Sequence, residues 1–415
     1  MLKSIILSTL LLSLKITALP ADNSTAYYKG LESSLMDNGL SGLWNAISTA
    51  NQTESGQELI KKLYSDDKFT IYAPNNAAWA SSNLTQPPAN ENLVSLLSYH
   101  IVKATLNSST DIAPIRHHTI AFTELRTPTI DLPGDQTQVI VLETAVNQTT
   151  GQDVNDGSVL VRGDNWNATS SGNQFIYENL FIQPIDKPSP LLKTLSQTGL
   201  SLTANMGATS AISAISSSGL NETLSNHCHG CTFFIPVNNA FDQATQTTNF
   251  SNLPQNEKSS VILNHILNGS TLYSPDFKSG SAYVTSAGMP LLYLTDDNDG
   301  KQKVFIQVGK YRASILRSDI PVSNGVVHLI DTLMVVPQNN HDKADDAAKS
   351  AAHEAESRTT TTNVIGGGGH TATSTASGPS SSSTQSQSLG SSTINHDLGN
   401  VFKISLSALV LGALW

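Results

Sequence analysis

The chain has 415 residues, a length that predicts two or three domains and excludes a single small module. Only 13% of the residues are charged and the net charge is −10, whereas nucleic-acid binding needs clustered Lys and Arg. We therefore expect no nucleic-acid partner. The two cysteines are too few to form a disulfide framework.

Residues 1–18 have the three parts of a secretory signal peptide: a basic start, an apolar run and a small residue at the cleavage point. Asn-x-Ser/Thr sequons support secretion, because this motif accepts N-linked glycans on the surface of secreted proteins. The candidate glycosylation sites are Asn23, Asn51, Asn83, Asn107, Asn147, Asn167, Asn221, Asn249 and Asn268.

The region between residues 28 and 337 contains an internal repeat. Residues 69–79 read FTIYAPNNAAW and residues 233–241 read FFIPVNNAF, and the two segments align at a constant offset. The matched positions are Pro74 with Pro236, Asn76 with Asn238, and Trp79 with Phe241. A repeat at this spacing predicts two copies of one domain, over residues 28–186 and 188–337.

Each copy has helix-like apolar runs in its first half and strand-like runs in its second half. Turn residues at 155–157 and 296–300 separate pairs of strand-like runs and predict a hairpin in each copy. Helices followed by antiparallel strands predict an α+β fold. The acidic turn at 296–300 lacks the carboxylates that an EF-hand needs at its first and last loop positions, so we expect no calcium site.

Residues 338–393 follow the second copy. Their first part, 341–358, is rich in Ala and predicts a solvated helix that acts as a spacer. From residue 359 to residue 393 more than half of the residues are Ser or Thr, a composition that cannot form a core. This part predicts a disordered, O-glycosylated stalk.

Residues 394–415 combine a polar spacer with a final apolar run that is too short to span a bilayer. Small residues before the spacer complete the pattern of a glycosylphosphatidylinositol (GPI) attachment signal. The candidate attachment sites are Gly390, Ser391 and Ser392. The alternatives are a weak C-terminal membrane helix and a merely sticky tail.

The motifs of both copies resemble the fasciclin domain family: the Pro-x-Asn box, a helix that ends near a histidine, and a closing strand. Beyond the box, the matching residues are Tyr99, His100, His265, Asn324, Gly325, His328 and Asp331, with Tyr177 where the second copy has His328. The resemblance implies two tandem fasciclin-like domains, each a mostly antiparallel β-sheet wedge with helices packed on it. The whole plan looks like that of a fungal surface protein.

The resemblance also implies two candidate ligand contacts. In fasciclin domains a Tyr-His helix and an Asp-Ile pair before the closing strand are linked to integrin binding. The matches here are Tyr99 with His100, and Asp319 with Ile320. For the first pair there is a physical objection, because consecutive apolar residues around Tyr99 are typical of core packing.

Cys228 and Cys231 are separated only by His229 and Gly230. In a secreted chain this spacing predicts a small-loop disulfide. The alternatives are a copper or zinc site that includes His227 and His229, and two free thiols. The sequence has no nucleophile or metalloprotease motif, so we expect no catalytic residues, no cofactor and no bound metal.

The box asparagines and the closing-strand histidine have structural interpretations. Asn76 and Asn238 are expected to cap backbone groups at a strand-to-helix turn, as Asn does at helix N-termini. His328 alternates with Val327 and Leu329 and is expected to be buried and hydrogen-bonded rather than to act as a base.

The sequence therefore predicts a non-enzymatic, secreted, glycosylated protein that binds a cell-surface protein or glycan, with homophilic binding as one option. We expect it at the cell surface, on the plasma membrane through a lipid anchor or in the cell wall. The main alternative is a structural component of the wall or of the vacuolar membrane without a specific ligand. A metal-capturing protein or a hydrolase is a weaker alternative.

Overall fold

In a computed structural model of the chain, the described residues are 23–82, 90–113, 118–145, 158–163, 166–195, 197, 207–248, 250–298, 301–357 and 364–366. The predicted signal peptide, the turn at 155–157, the sequons at Asn83, Asn147 and Asn249, and the GPI candidates Gly390, Ser391 and Ser392 lie outside these residues. Within the described ranges, no helix is long and apolar enough to cross a membrane.

The first copy starts with helices and continues with short strands. Its helices are α1 (Asn23–Asp37), α2 (Ser41–Ala50), α3 (Glu54–Leu63), α4 (Asn76–Ser81) and α5 (Asn90–His100). Its strands are β1 (Phe69–Pro74), β2 (Ile101–Val102), β3 (Thr119–Phe122), β4 (Val139–Thr144), β5 (Val159–Arg162), β6 (Asn167–Thr169), β7 (Phe175–Tyr177) and β8 (Leu180–Ile185). Local chemistry sets the ends of α3, because the Thr53 hydroxyl caps its start and two lysines lie in its last turn.

The second copy repeats this order. Its helices are α6 (Thr209–Ser217), α7 (Asn221–Asn226), α8 (Asn238–Thr247) and α9 (Gln255–Leu263). Its strands are β9 (Cys231–Pro236), β10 (Ile266–Leu267), β11 (Ala282–Val284), β12 (Pro290–Asn298), β13 (Lys301–Val308), β14 (Tyr311–Val322) and β15 (Gly325–Ile330). Short 3-10 turns at Pro133–Asp135, Phe250–Asn252 and Ser274–Asp276 complete the two copies.

A parallel pairing between the first and last strands closes each copy. β1 pairs with β8, with Phe69 opposite Leu180, and β9 pairs with β15, with Cys231 opposite Gly325. Antiparallel neighbours flank both pairs and give the strand orders β2-β1-β8-β7 and β10-β9-β15-β14. This arrangement confirms the predicted fold class, two α+β domains with mostly antiparallel sheets, which we call the first and second domains.

The two domains differ in how the closing sheet continues. In the second domain β14 is 12 residues long and connects the β9–β15 pair to β13, β12 and β11 in one sheet. Register shifts between Ile315 and Ile320 let this strand bend. In the first domain the corresponding stretch is split into β6 and β7, so β3, β4, β5 and β6 belong to a separate sheet.

The strand registers correct one alignment. The sequence interpretation matches Tyr177 with His328, but Tyr177 lies in β7, one strand before the closing strand. Because β8 and β15 have the same register against β1 and β9, the counterpart of His328 is Gln183. The alignment was wrong because it matched Pro184 with Pro337, and Pro337 lies beyond the end of β15.

The chain after the second domain packs back onto the fold. The sequence predicts a spacer there, whereas α10 (His341–Ser357) contacts the 3-10 turn Pro133–Asp135 of the first domain. The absence of a side chain at Gly269 of the second domain allows the helix to approach closely, since a Cβ added there would lie only 3.2 Å from the Cβ of Ala351 in α10. A short strand β16 (Val364–Ile365) then pairs with β3. The predicted helix is confirmed and is mostly exposed, but the spacer role is wrong because α10 packs against the fold. The stalk prediction is wrong for residues 364–366.

The close approach of β9 and β15 makes Gly325 a sensitive position. Its φ is +148°, and an added Cβ would lie 1.9 Å from the carbonyl oxygen of Cys231. We expect Gly325→Ala to lower the free energy of unfolding by more than about 2 kcal/mol, measured by urea denaturation. The control is Gly219→Ala, which also has a positive φ but meets no atom within 4 Å and should lose about 1 kcal/mol. Equal losses would contradict the steric argument.

Candidate functional site

A buried polar network connects the two domains. Nδ1 of His118 lies 2.6 Å from Oδ2 of Asp319 in β14, and its Nε2 lies 3.6 Å from Oε2 of Glu143. Nη1 of Arg162 lies 3.1 Å from the other oxygen of Glu143. Within the second domain, Ser274 donates its backbone N–H to Oδ1 of Asp319 at 2.6 Å and its hydroxyl to Oδ2. Groups from both domains therefore bind the Asp319 carboxylate.

The surroundings of Asp319 keep its carboxylate ionised. Burial by itself raises the pKa of Asp319, but the hydrogen bonds from His118 and Ser274 and the nearby His328 hold it below its ordinary value. His328 is fully buried, and its Nε2 lies 3.0 Å from a backbone oxygen before the 3-10 turn Ser274–Asp276. Burial also lowers the pKa of His328, against the effect of Asp319.

A second set of interface contacts surrounds Gln138, which is fully buried. Its side-chain nitrogen donates to Val322 O at 2.6 Å and to Gly325 O at 3.1 Å, and its Oε1 accepts the Tyr273 hydroxyl at 2.7 Å. An apolar cluster packs beside it with residues of both domains: Ile120, Val139 and Val141 from the first, Tyr273 and Val326 from the second. Separation would expose these groups together, so the two domains form one unit.

Cys228 and Cys231 form a disulfide that shapes a third interface contact. In the loop between them, Nδ1 of His229 lies 2.8 Å from both carboxylate oxygens of Asp131, and Gly230 donates its N–H to Asp131 O at 3.0 Å. Both cysteines are buried. In the part of the chain that the structure describes, no group of His, Cys, Asp and Glu side chains is arranged to hold a metal ion.

Both ligand contacts implied by the family resemblance lie inside the protein. Asp319 and Ile320 are 2% and 0% exposed, and Tyr99 and His100 are 1% and 2% exposed. Asp319 binds His118 of the first domain, and Ile320 belongs to the core of the second. The prediction of direct ligand contact is therefore wrong for both pairs in the folded protein. The network was missed because residues 118 and 319 are 201 positions apart and no motif includes His118.

His100 and His265 connect the end of a helix to the segment that leaves each domain. Nδ1 lies 2.7 Å (His100) or 2.8 Å (His265) from the carbonyl oxygen one helical turn earlier. Nε2 accepts the backbone N–H of Ser189 at 2.9 Å and of Met334 at 3.0 Å, respectively. Because Nε2 accepts, each ring is neutral with its proton on Nδ1. Burial lowers the pKa of both rings to about 4, although the bond to the carbonyl oxygen opposes the shift.

The box asparagines connect two helices in each domain. Asn76 Oδ1 accepts the N–H of Gly42, and Asn238 Oδ1 accepts the N–H of Ser210, both at 2.9 Å. These N–H groups lie in the first turns of α2 and α6, which are distant in sequence from the box. The sequence predicts a cap at the box turn itself, and there it is Asn75 that caps α4.

The remaining family positions build the core and the turns. Pro74 and Pro236 end β1 and β9, and Phe241 packs between two apolar clusters of the second domain. Asn324 donates its amide to a backbone oxygen of α7 at 3.0 Å. Oδ1 of Asp331 accepts a backbone N–H of β14 at 2.7 Å. These positions preserve the fold and leave ligand contact to other surfaces.

The described sequons differ in exposure. Four of the sequon asparagines are exposed, namely Asn51, Asn107, Asn167 and Asn221. Asn268 is half-buried, with its Oδ1 3.3 Å from the sulfur of Cys231. Asn23 is the first residue of α1. Four sequons therefore have room for a glycan on the folded protein.

An aromatic cluster lies at the surface of the first domain. The ring of Tyr27 contacts the rings of Tyr28, Tyr64 and Tyr177, with centroids 5.0 to 5.6 Å apart. The Tyr27 hydroxyl donates to a backbone oxygen of α3 at 3.0 Å and fixes the ring. Tyr64 is 37% exposed, and Ile176, next to Tyr177 in the edge strand β7, is 60% exposed. We call these five residues the tyrosine surface.

Comparisons with known proteins identify the family. The family model of the fasciclin domain matches residues 45–165 and 206–337, which together are more than half of the chain. The protein therefore belongs to the fasciclin domain family and contains two tandem domains. A solved FAS1 domain pair from the insect cell adhesion molecule fasciclin I matches at 17% identity with a TM-score of 0.33, over 72% of this chain and 97% of that chain. No curated protein sequence matches the chain.

The neutral histidines make stability depend on pH. The unfolded chain protonates each ring below about pH 6.5 but the folded chain only near pH 4, so stability is complete above 6.5 and is lost towards 4. We expect a loss of about 2 kcal/mol per histidine between pH 7 and pH 5, measured by urea denaturation. His100→Gln with His265→Gln should flatten this dependence, whereas exposed His353→Gln should not change it. The same slope in all three chains would contradict the assignment.

The bonds of Gln138 predict that it couples the domains. Gln138→Leu leaves the Val322 and Gly325 oxygens and the Tyr273 hydroxyl buried without this partner, so we expect two resolved transitions in differential scanning calorimetry instead of one. Gln183→Leu is the matched control, because Gln183 is equally buried but bonds only within the first domain. Gln183→Leu should lower the midpoint temperature of unfolding but keep a single transition. A single transition in both variants would argue against coupling through Gln138.

Proposed function

We propose that the protein is a secreted, N-glycosylated surface protein that mediates adhesion or organises the cell surface by non-covalent binding. Membership in the fasciclin domain family supports this role, because adhesion is typical of fasciclin domains. The observation that carries the proposal is the distribution of surface groups. Four sequon asparagines are exposed, and so are Tyr64 and Ile176 of the tyrosine surface, whose other three rings are half-buried. In contrast, Asp319, Glu143 and Gln138 at the domain interface are buried.

The tyrosine surface is the contact region that we propose for a cell-surface protein or glycan. Aromatic side chains supply large contact areas and lose little conformational entropy on binding, since they have few rotatable bonds. Here their rings are already held by one another and by the Tyr27 hydroxyl bond. Pre-organised groups of this kind reduce the ordering cost of association.

Attachment through the C-terminal tail completes the proposal. A lipid anchor at Gly390, Ser391 or Ser392 places many copies on one membrane, and tethering raises the effective concentration without new contacts. Weak binding at each tyrosine surface then adds up to stable adhesion between cells. We propose the plasma membrane or the cell wall as its location, with the vacuolar membrane as the alternative.

Cell aggregation tests the role and the contact surface together. Cells that display the full chain should aggregate, and the double substitution Ile176→Asp with Tyr64→Ser should reduce aggregation about tenfold or more, because multivalent contacts amplify each loss. Leu316→Asp is the matched control, since Leu316 is 57% exposed in the second domain. Equal aggregation by both variants would reject the tyrosine surface as the contact.

Phospholipase C treatment of the same cells tests the anchor. We expect the protein to move from the pellet to the supernatant on a western blot, and aggregation to stop. Retention in the pellet would contradict the lipid anchor and favour a membrane helix or a covalent wall linkage. If cells that lack the whole protein have a weaker wall but aggregate normally, this result would favour the structural alternative.

A further inference from the structure

A segment from the far end of the chain covers the outer edge of strand β3. Val364 pairs with Ala121 and Ile365 with Ile120, so β16 is the outermost strand in the order β16-β3-β4-β5-β6. Without β16, backbone N–H and C=O groups of β3 would be left without strand partners on this side. An edge of this kind is a template for another extended segment.

The same segment lies where the two domains meet. Ile365 packs against the apolar cluster that holds Ile120 and Val141 from the first domain and Tyr273 and Val326 from the second. The docked segment therefore contacts a surface that exists only when both domains are assembled. This surface selects for an apolar residue at the second position of the strand.

Gly366 restricts which sequence can dock. Its φ is +71°, and an added Cβ would lie 2.2 Å from the carbonyl oxygen of His118 and 3.0 Å from Cγ of Pro275. Only glycine fits there without displacing backbone atoms. The edge of β3 thus accepts two β-branched residues followed by glycine, which is the Val-Ile-Gly sequence of residues 364–366.

We propose that the edge of β3 is a strand-docking site that accepts residues 364–366 of a second copy of this chain as well as its own. Exchange of an identical segment preserves every contact, so local concentration decides which copy supplies it. In an isolated molecule the short connection 358–363 keeps the chain's own segment at an effective concentration on the order of mM. Neighbouring copies at high surface density compete with it and associate.

The position of the segment favours exchange on a membrane. β16 has only two residues, both half-buried, so its release disrupts few contacts. This step rests on the proposed function: when the tail is anchored, tension between the anchor and the domains acts on β16 before it reaches α10. Tension therefore frees the edge of β3, and a neighbouring copy that stands close enough can then supply the docked segment.

Cross-strand disulfides distinguish docking of the chain's own segment from docking of a segment supplied by a second copy. Full chains with Ala121→Cys and differently tagged chains with Val364→Cys are captured through biotin on streptavidin-coated vesicles at high density and mildly oxidised. We expect mixed dimers on the vesicles, at least about tenfold fewer in dilute solution, and an intrachain bond in a chain with both substitutions. An intrachain bond without mixed dimers on vesicles overturns the exchange. Because biotin replaces the native attachment, the outcome does not depend on the lipid anchor or on cell aggregation.

A peptide probe tests the docking site directly. A fluorescent peptide of residues 361–368, TTNVIGGG, should bind Gly366→Val, whose own segment cannot dock, at least about tenfold more tightly than the wild type. Gly280→Val is the control, because Gly280 also has a positive φ but has open space around it, and it should bind like the wild type. Ile365→Asp replaces Gly366→Val if the latter misfolds. A folded variant of either kind that does not bind the peptide overturns the docking site.

Discussion

The parallel pairing of the first strand with the last strand is the constraint on which each domain depends. A tight hairpin cannot connect a parallel pair, so the whole chain between β1 and β8, or between β9 and β15, has to cross from one to the other. The same pairing holds the segment that leaves each domain beside His100, the last residue of α5, or beside His265, which follows the end of α9. Loss of the pairing therefore removes the core, the histidine bonds and the exit path together.

The interface between the domains adds a second constraint of a different kind. Burial of Asp319, Glu143 and the His118 ring requires desolvation, and the bonds among these groups offset that cost only in one relative placement. Apolar contact alone would tolerate several docking angles, whereas any other angle here leaves a buried charge without its partner. We infer that the polar network determines the orientation of the domains, and that the apolar cluster beside it supplies most of the attraction.

The sequence predicted the parts of the fold that repeat or that depend on neighbouring residues. The Pro-x-Asn boxes, the helices before them and the hairpin turns come from local patterns, and they were sufficient to identify two copies of an α+β domain. The predictions from sequence failed where they depended on contacts between residues that are distant along the chain. Gln183 was missed as the counterpart of His328 because only the pairing with β1 reveals its register. Asp319 was misread as a ligand contact because its partner, His118, belongs to the other domain.

The C-terminal segment was misread for a related reason, and its placement determines how the protein bears load. Composition identifies residues 359–393 as unable to form a core, but two β-branched residues and a glycine are enough to complete a sheet edge that already exists. If a ligand holds the tyrosine surface and the tail is anchored, tension first crosses the two-residue β16 pairing within the first domain. After that pairing opens, tension passes through α10 and the second domain and reaches the interface between the domains, which has more side-chain bonds to break. The weak pairing thus yields first, and the orientation of the domains persists while the edge of β3 becomes available to a neighbour.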